Sequence, residues 1–213
     1  MKKLFATLLV AAFALIGTQA YAQLGVNAGY LNSNLTTSGS KPVNYNGFYA
    51  GVTYRIPIVA GLSVAPGVYY SLLSTSKSDG VSFLGFTQSG TSTHTEHGLN
   101  AAINLDYGFQ IARDTRVFLF AGPTFQYGLS SQSKYTAEGV VSGTTKADWY
   151  EKGNYGRFNI FLGGGAGVEV AGIQITVGYD YGLMNLYKGN GDSKINRSGL
   201  KIGVGFLFYI LLE

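Results

Sequence analysis

No cysteine occurs in the chain, which excludes a disulfide framework and a thiolate metal site even where the compartment is oxidising. Charge is scarce too. Asp, Glu, Lys and Arg make up 12% of the residues, against about 25% in ordinary globular domains, so a soluble domain built this way would have a bare surface. After the N-terminal leader no apolar run approaches the roughly 20 residues of a transmembrane helix, and no stretch shows a helical apolar period. The formal net charge is only +4, and Lys2 and Lys3 of the leader supply half of it. No nucleic-acid surface or partner follows from so small an excess.

Glycine, in contrast, is abundant: 31 of 213 residues, about twice its usual share. The leader has the three parts of a secretory signal. Lys2 and Lys3 precede an apolar run from Leu4 to Ile16, and Ala20-Tyr21-Ala22 forms a small-residue cleavage site. The expected organisation is therefore a cleaved signal peptide over residues 1–22 and one domain over 23–213.

That domain reads as strands. Apolar residues recur at every second position in eight stretches, which begin at Leu24, Phe48, Leu62, Leu99, Val117, Phe158, Ile173 and Leu200. Long connections at 32–46, 73–95, 130–155 and 186–197 are rich in Ser, Thr, Gly, Asn and Lys and are expected as loops, with Trp149-Tyr150 at a tip or rim. They alternate with short ones such as the Val170-Ala171-Gly172 turn. Strict alternation of long and short links predicts an all-β, eight-stranded antiparallel up-and-down transmembrane β-barrel with short periplasmic turns and long extracellular loops. Greek-key sandwiches have no reason to sort their links in this way.

The stretch "GGGAGVEVAGIQITVGYDYG" (163–182) poses the question of which face is wet. One side is apolar and the other is Gly with Glu169, Gln174, Thr176 and Asp180. An apolar stripe toward lipid and small or polar residues in a narrow lumen satisfy both sides. By parity the lumen holds Arg55, Glu96, Asn100, Asn104, Gln126, Arg157, Asn159, Glu169, Gln174, Thr176, Asp180 and Lys201. An unpaired charge there is costly, so the charged members are expected to pair, with Phe118, Phe120 and Phe161 filling part of the space. The lipid-facing stripes end in Tyr30, Tyr54, Tyr70, Tyr107, Tyr127, Tyr179, Tyr181, Phe206 and Phe208, aromatic residues suited to the headgroup level and read as girdles.

The stretches "LFAGPTFQYGLSS" (119–131), "GRFNIFLGGGAGVEV" (156–170) and "VGYDYGLMNLYKG" (177–189), with the final apolar strand "LKIGVGFLFYILLE", resemble the outer-membrane β-barrel domain family that includes PorT-like proteins, and more broadly small OmpX- or OmpA-like barrels. The resemblance implies a small barrel in the cell outer membrane, exported through the periplasm, with outer-membrane lipid as its surroundings. It also implies an insertion machinery that reads the last strand. Such barrels usually end on an aromatic residue. Here Phe206, Phe208 or Tyr209 would serve, because residues 210–213 follow. A PorT-like role with an envelope protein partner is a further implication.

Little in the chain points to catalysis. In "THTEHG" (93–98) His94 and Glu96 share a strand face while His97 takes the other, so three metal ligands do not converge, and no metal or cofactor is expected. The Gly163–Gly167 region is not followed by the Lys-Ser/Thr and helix of a phosphate loop. No spacing singles out a serine beside His97 as a nucleophile. The expectation is a non-enzymatic barrel with a filled polar lumen, acting structurally or through its extracellular loops in adhesion, envelope integrity or partner docking. A narrow porin-like channel is the alternative. A lipid-modifying barrel enzyme and a soluble lipid-binding barrel stand further off.

Overall fold

The computed structural model describes residues 23–39, 41–83, 86–138, 143–150, 155–189 and 193–209. The signal peptide expected over 1–22 and the terminal residues 210–213 lie outside the described residues. Nine strands are described: β1 (Gln23–Thr37), β2 (Val43–Val59), β3 (Leu62–Phe83), β4 (Phe86–Ala112), β5 (Thr115–Glu138), β6 (Gly143–Asp148), β7 (Phe158–Val170), β8 (Ile173–Gly182) and β9 (Ile195–Tyr209). Eight of them close an antiparallel ring, in which β9 pairs with β1 and β4 with β5. The ninth, β6, is an addition to the eight expected: among the described residues it pairs only with the upper part of β5.

The ladder fixes the shape of the ring. Starting at Gly25, it runs through Thr53, Gly67, Ala102, Thr124, Phe161 and Gly182, which lies against Arg197, and returns to β1 at Leu35. That stagger of ten residues between Gly25 and Leu35 tilts the strands by about 40° and gives a rise of about 2.5 Å per residue along the barrel axis. The outward positions are the apolar ones. Val26, Val52, Val68, Ile103, Leu119, Leu162, Ile175 and Val204 are all exposed on the outer wall. Below them lie Tyr54, Tyr107, Phe109, Phe206 and Phe208; above them lie Tyr30, Phe48, Tyr70, Phe125, Tyr127, Phe158, Tyr179 and Tyr181. The two aromatic rings stand about 20–25 Å apart, the height of a barrel's lipid-facing band.

Inward glycines are explained by what presses on them. The Tyr49 ring covers Gly29 and Gly203, Tyr69 covers Gly51, Phe118 covers Gly167 and Phe120 covers Gly165 and Gly178. A Cβ at any of these positions would collide with a ring or with a neighbouring strand's backbone. At the lower end, Ala171 and Gly172 join β7 to β8 with φ of 50° and 84°. Two successive positive φ values make the tight turn whose twist matches that of the flanking strands.

At the upper end the structure corrects the loop assignment. Segments 73–95 and 130–155, expected as loops, are largely strand, because β3, β4 and β5 continue well above the upper aromatic ring and β6 joins them. Segments 32–46 and 186–197 likewise contribute strand residues up to Thr37 and from Val43 and Ile195. The cause is local: alternating Ser and Thr fall directly opposite each other, and Ser74–Thr95, Ser76–Thr93 and Ser78–Thr91 hydrogen-bond at 3.5, 3.1 and 3.2 Å. Cross-strand hydroxyl pairs of this kind stabilise an antiparallel ladder without apolar burial.

Candidate functional site

The lumen is organised as charged layers at different heights. The lowest lies level with the lower aromatic ring. Arg55 Nη1 donates to Glu169 Oε2 at 2.8 Å and to Gln23 at 3.0 Å, and Arg55 Nη2 lies 3.7 Å from Asp106. Arg116 pairs with Asp106 as well, and Gln174 donates to Glu169 at 3.1 Å. The Phe118 ring lies 5.6 and 5.2 Å from the guanidinium carbons of Arg55 and Arg116. Two guanidinium groups thus face two carboxylates, and the layer is neutral.

Above it lies a cavity of about 140 Å³, lined in part by Asn27, Tyr49, Thr53, Tyr69, Asn100, Phe118, Phe120 and Gln126. Asn100 donates to Ser71 at 2.9 Å and accepts from Gln126 at 3.0 Å, and Asn104 also lines the space. Lys201 pairs with Asp180 at 2.6 Å on the cavity wall. Phe161 is buried beside it.

The cavity is roofed by a third layer. Arg197 Nη2 lies 2.5 Å from Glu96 Oε2, both side chains being buried, and donates to the Tyr155 hydroxyl at 2.9 Å. Glu96 Oε1 is 3.1 Å from His94 Nε2, while His94 Nδ1 meets Ser133 at 2.7 Å. An apolar cluster of Leu35, Tyr45, Leu73, Tyr155 and Leu186 packs at this level. Trp149 sits edge-on to His94 with ring centroids 5.0 Å apart, and Tyr150 stacks on Tyr155. Burial pushes the Tyr150 hydroxyl up to about 12 from its ordinary value near 10, and shifts that of Tyr155 further in the same direction.

Of the lumen residues read from parity, Arg55, Glu96, Glu169, Asp180 and Lys201 lie in these layers, with Asn100 and Asn104 between them. Arg157 does not. Its position falls where the β5–β7 ladder ends at Tyr127–Phe158, so its guanidinium turns to the rim, donates to the carbonyls of Gly128 and Leu129 at 3.3 and 3.1 Å, and lies over the Tyr150 ring at 4.6 Å. The guanidinium that pairs with Glu96 in the upper lumen is that of Arg197 instead. Asp106, Arg116 and Arg197 were not among the expected residues, and neither were the inward rings of Tyr49 and Tyr69. For Asp106, Tyr49 and Tyr69 the signal was present, since each alternates with outward apolar residues. His97 lies on the outer face, bonded to the Tyr70 hydroxyl. Among the described residues no group of three or more His, Asp or Glu side chains is placed to hold a metal ion. The nine expected girdle residues occupy the outer wall, Tyr54 half-buried and the rest exposed.

Among solved structures, the chain is similar to Ail of Yersinia pestis in complex with the heparin analogue sucrose octasulfate, with 17% identity, coverage of 88% of this chain and 99% of that one, and a TM-score of 0.39. Neisserial surface protein A is 17% identical, with coverage of 87% and 97% and a TM-score of 0.42. The outer membrane protein OprG of Pseudomonas aeruginosa is 10% identical, with coverage of 90% and 98% and a TM-score of 0.40. No curated protein matches the chain. The family model described as outer membrane protein beta-barrel domain matches residues 13–188, most of the chain. With that match added to a closed ring, a lipid-facing band and a charged lumen, the chain belongs to the outer membrane protein beta-barrel domain family, and its place is the cell outer membrane.

Proposed function

We propose that the barrel is a closed, non-enzymatic anchor whose work is done by the four-stranded sheet that β3, β4, β5 and β6 raise above the membrane, docking an extracellular or envelope protein partner. The observation that carries this reading is the division of the molecule into two parts. The lumen is blocked by the Arg55–Glu169–Asp106–Arg116 layer below and by the Arg197–Glu96 pair and its aromatic cover above. The strands meanwhile continue past the upper ring, and among the described residues no strand pairs with the outer edge of β3 beyond Ser74 or with that of β6; an unpaired edge is a template for a partner strand. In this reading residues 1–22 are removed on export, and the insertion machinery reads the last strand through its outward Phe206 and Phe208.

The test is a trimmed variant in which residues 75–92 are replaced by a tight turn. It should keep the heat-dependent gel shift of a folded barrel and lose partner capture from envelope extracts. Retained capture would refute the role of the sheet.

Two other readings each have one observation in their favour. The cavity of about 140 Å³ favours a narrow channel, which single-channel conductance above background in a planar bilayer would support. Hydrolysis is favoured by His94, which bonds Ser133 and Glu96 together. Against it, Glu96 is already held by Arg197, and the Ser133 oxygen accepts from Trp149 Nε1 at 2.8 Å. Ser133→Ala should leave the envelope lipid composition unchanged; a changed lipid profile would revive the enzyme.

A further inference from the structure

The chamber between the charged layers lies inside the barrel, away from the sheet edges used in the proposed function. At its upper end two buried nitrogen donors, Arg197 Nε and Asn159 Nδ2, have no hydrogen-bond partner among the described residues. Both residues are almost wholly buried, at 4% and 1% exposed. Arg197 lines the chamber itself. Asn159 stands opposite Gln126 in the β5–β7 ladder and two residues above Phe161, and both of those side chains line the chamber. The Asn159 amide nitrogen lies over Gly182, where an added Cβ would come within 3.2 Å of it. A buried donor left unmatched is costly, so two of them at one end of a chamber mark where acceptor atoms belong.

The remaining walls describe the molecule that carries those acceptors. A space of about 140 Å³ holds one six-membered ring. The rings of Phe118, Phe120 and Phe161 offer it flat apolar contact, and the amides of Asn104 and Gln126 offer hydrogen bonds at its edge. Charge narrows the choice further. Each charged side chain on the lining is already paired: Lys201 with Asp180, Arg197 with Glu96, and Arg55 with Asp106 and Glu169. An anion brought into this space would stand alone. We infer that the chamber binds a small, neutral, planar heterocycle with ring carbonyls, of the size and chemistry of a pyrimidine base. Its carbonyl oxygens accept from Arg197 Nε and Asn159 Nδ2, and its ring N–H groups donate to the amide oxygens of Asn104 and Gln126. Arg55 lines both this chamber and the wide vestibule below, so the ring enters from the lower mouth past that guanidinium. This binding role goes beyond the proposed function, which concerns the sheet above the membrane and leaves the lumen without a ligand.

The test uses the chain from Gln23 onward, refolded in detergent micelles with radiolabelled uracil present so that entry does not limit binding. Bound label is then measured by equilibrium dialysis, with unlabelled uracil and orotate, the same ring carrying a carboxylate, as competitors. Saturable binding is expected, with orotate competing at least about tenfold less well than uracil. Asn159→Leu keeps the side-chain shape and removes the unmatched donor; it should retain the heat-shifted band and bind uracil about tenfold more weakly, the worth of one hydrogen bond. No saturable binding, with the chamber holding water only, would overturn the site. Equal affinity in Asn159→Leu would overturn the donor's role, and orotate competing as well as uracil would overturn the neutral ligand. If Asn159→Leu does not fold, Ala102→Leu carries the test. Ala102 is buried on the chamber wall, so the larger side chain fills the space and should abolish binding; retained binding would place uracil outside the chamber.

Discussion

Replacing Arg55 by Met removes one of the two guanidinium groups of the lower layer while keeping a long unbranched side chain. Asp106 and Glu169 then face Arg116 alone, and Glu169 loses its bond at 2.8 Å. Removing one partner from a buried ion pair costs about 3–5 kcal/mol. This layer adjoins the open lower mouth, where Arg55 and Glu169 line a wide vestibule, so water relieves part of the loss and about 2–3 kcal/mol is expected. Glu169→Gln should cost a similar amount, because it leaves Arg55 in excess. The double variant is neutral again and should lose about 1.5–2.5 kcal/mol less than the sum of the singles. The assay is urea unfolding of the chain refolded in phospholipid vesicles, followed by the heat-shifted band. Single variants costing under about 0.5 kcal/mol, or costs that simply add, would refute the claim that these charges hold one another in place.

Three further outcomes follow from positions described above. Ala171, held at φ 50°, should be improved upon by Gly, with Ala171→Gly raising stability by about 0.5–1 kcal/mol in the same urea assay, and no gain would mean that the turn is not strained. Gly165→Ala puts a methyl group against the Val177 carbonyl and the Phe120 ring, and should cost at least about 2 kcal/mol or prevent the heat shift altogether, whereas Gly39→Ala, with open space around it but φ at 76°, should cost only about 1 kcal/mol of backbone strain and keep the barrel intact. Burial raises the Tyr150 pKa from 10.0 to about 12, so the unfolded chain loses this proton first: the stabilisation is complete below about pH 10 and falls away as pH rises toward 12. An ultraviolet titration in which Tyr150→Phe removes a tyrosinate transition at pH 10 rather than near 12 would contradict this.

The wall of the barrel was legible because two solvents divide it. Each strand meets lipid on one side and a crowded interior on the other, so apolar and small or polar residues alternate from Val26 to Val204 without a helical competitor. The extracellular sheet was less legible, because where both faces are wet the alternation disappears. Ser76, Ser78, Thr91 and Thr93 then read as a loop by composition, although their cross-strand hydrogen bonds extend the hairpin. The charged layers were read in part. Asp106 and Arg116 obey the alternation beside Leu105 and Val117, but Arg197 lies three residues before Leu200, where the regular apolar alternation of the last strand starts. Arg157 shows the opposite failure, since counting by twos carried it inward across the point where the ladder stops.

The seam between β1 and β9 runs from Gln23–Tyr209 to Thr37–Ile195, so the earliest strand in the chain can be completed only by the last. Until translation and export have delivered residues 195–209, the sheet has two bare edges and an apolar outer wall in an aqueous compartment, where a second unfinished copy is as good a partner as β9. The barrel therefore has no intermediate that can wait safely on its own. Its assembly depends on being kept apart from its own kind until the final strand arrives and the bilayer takes up the wall.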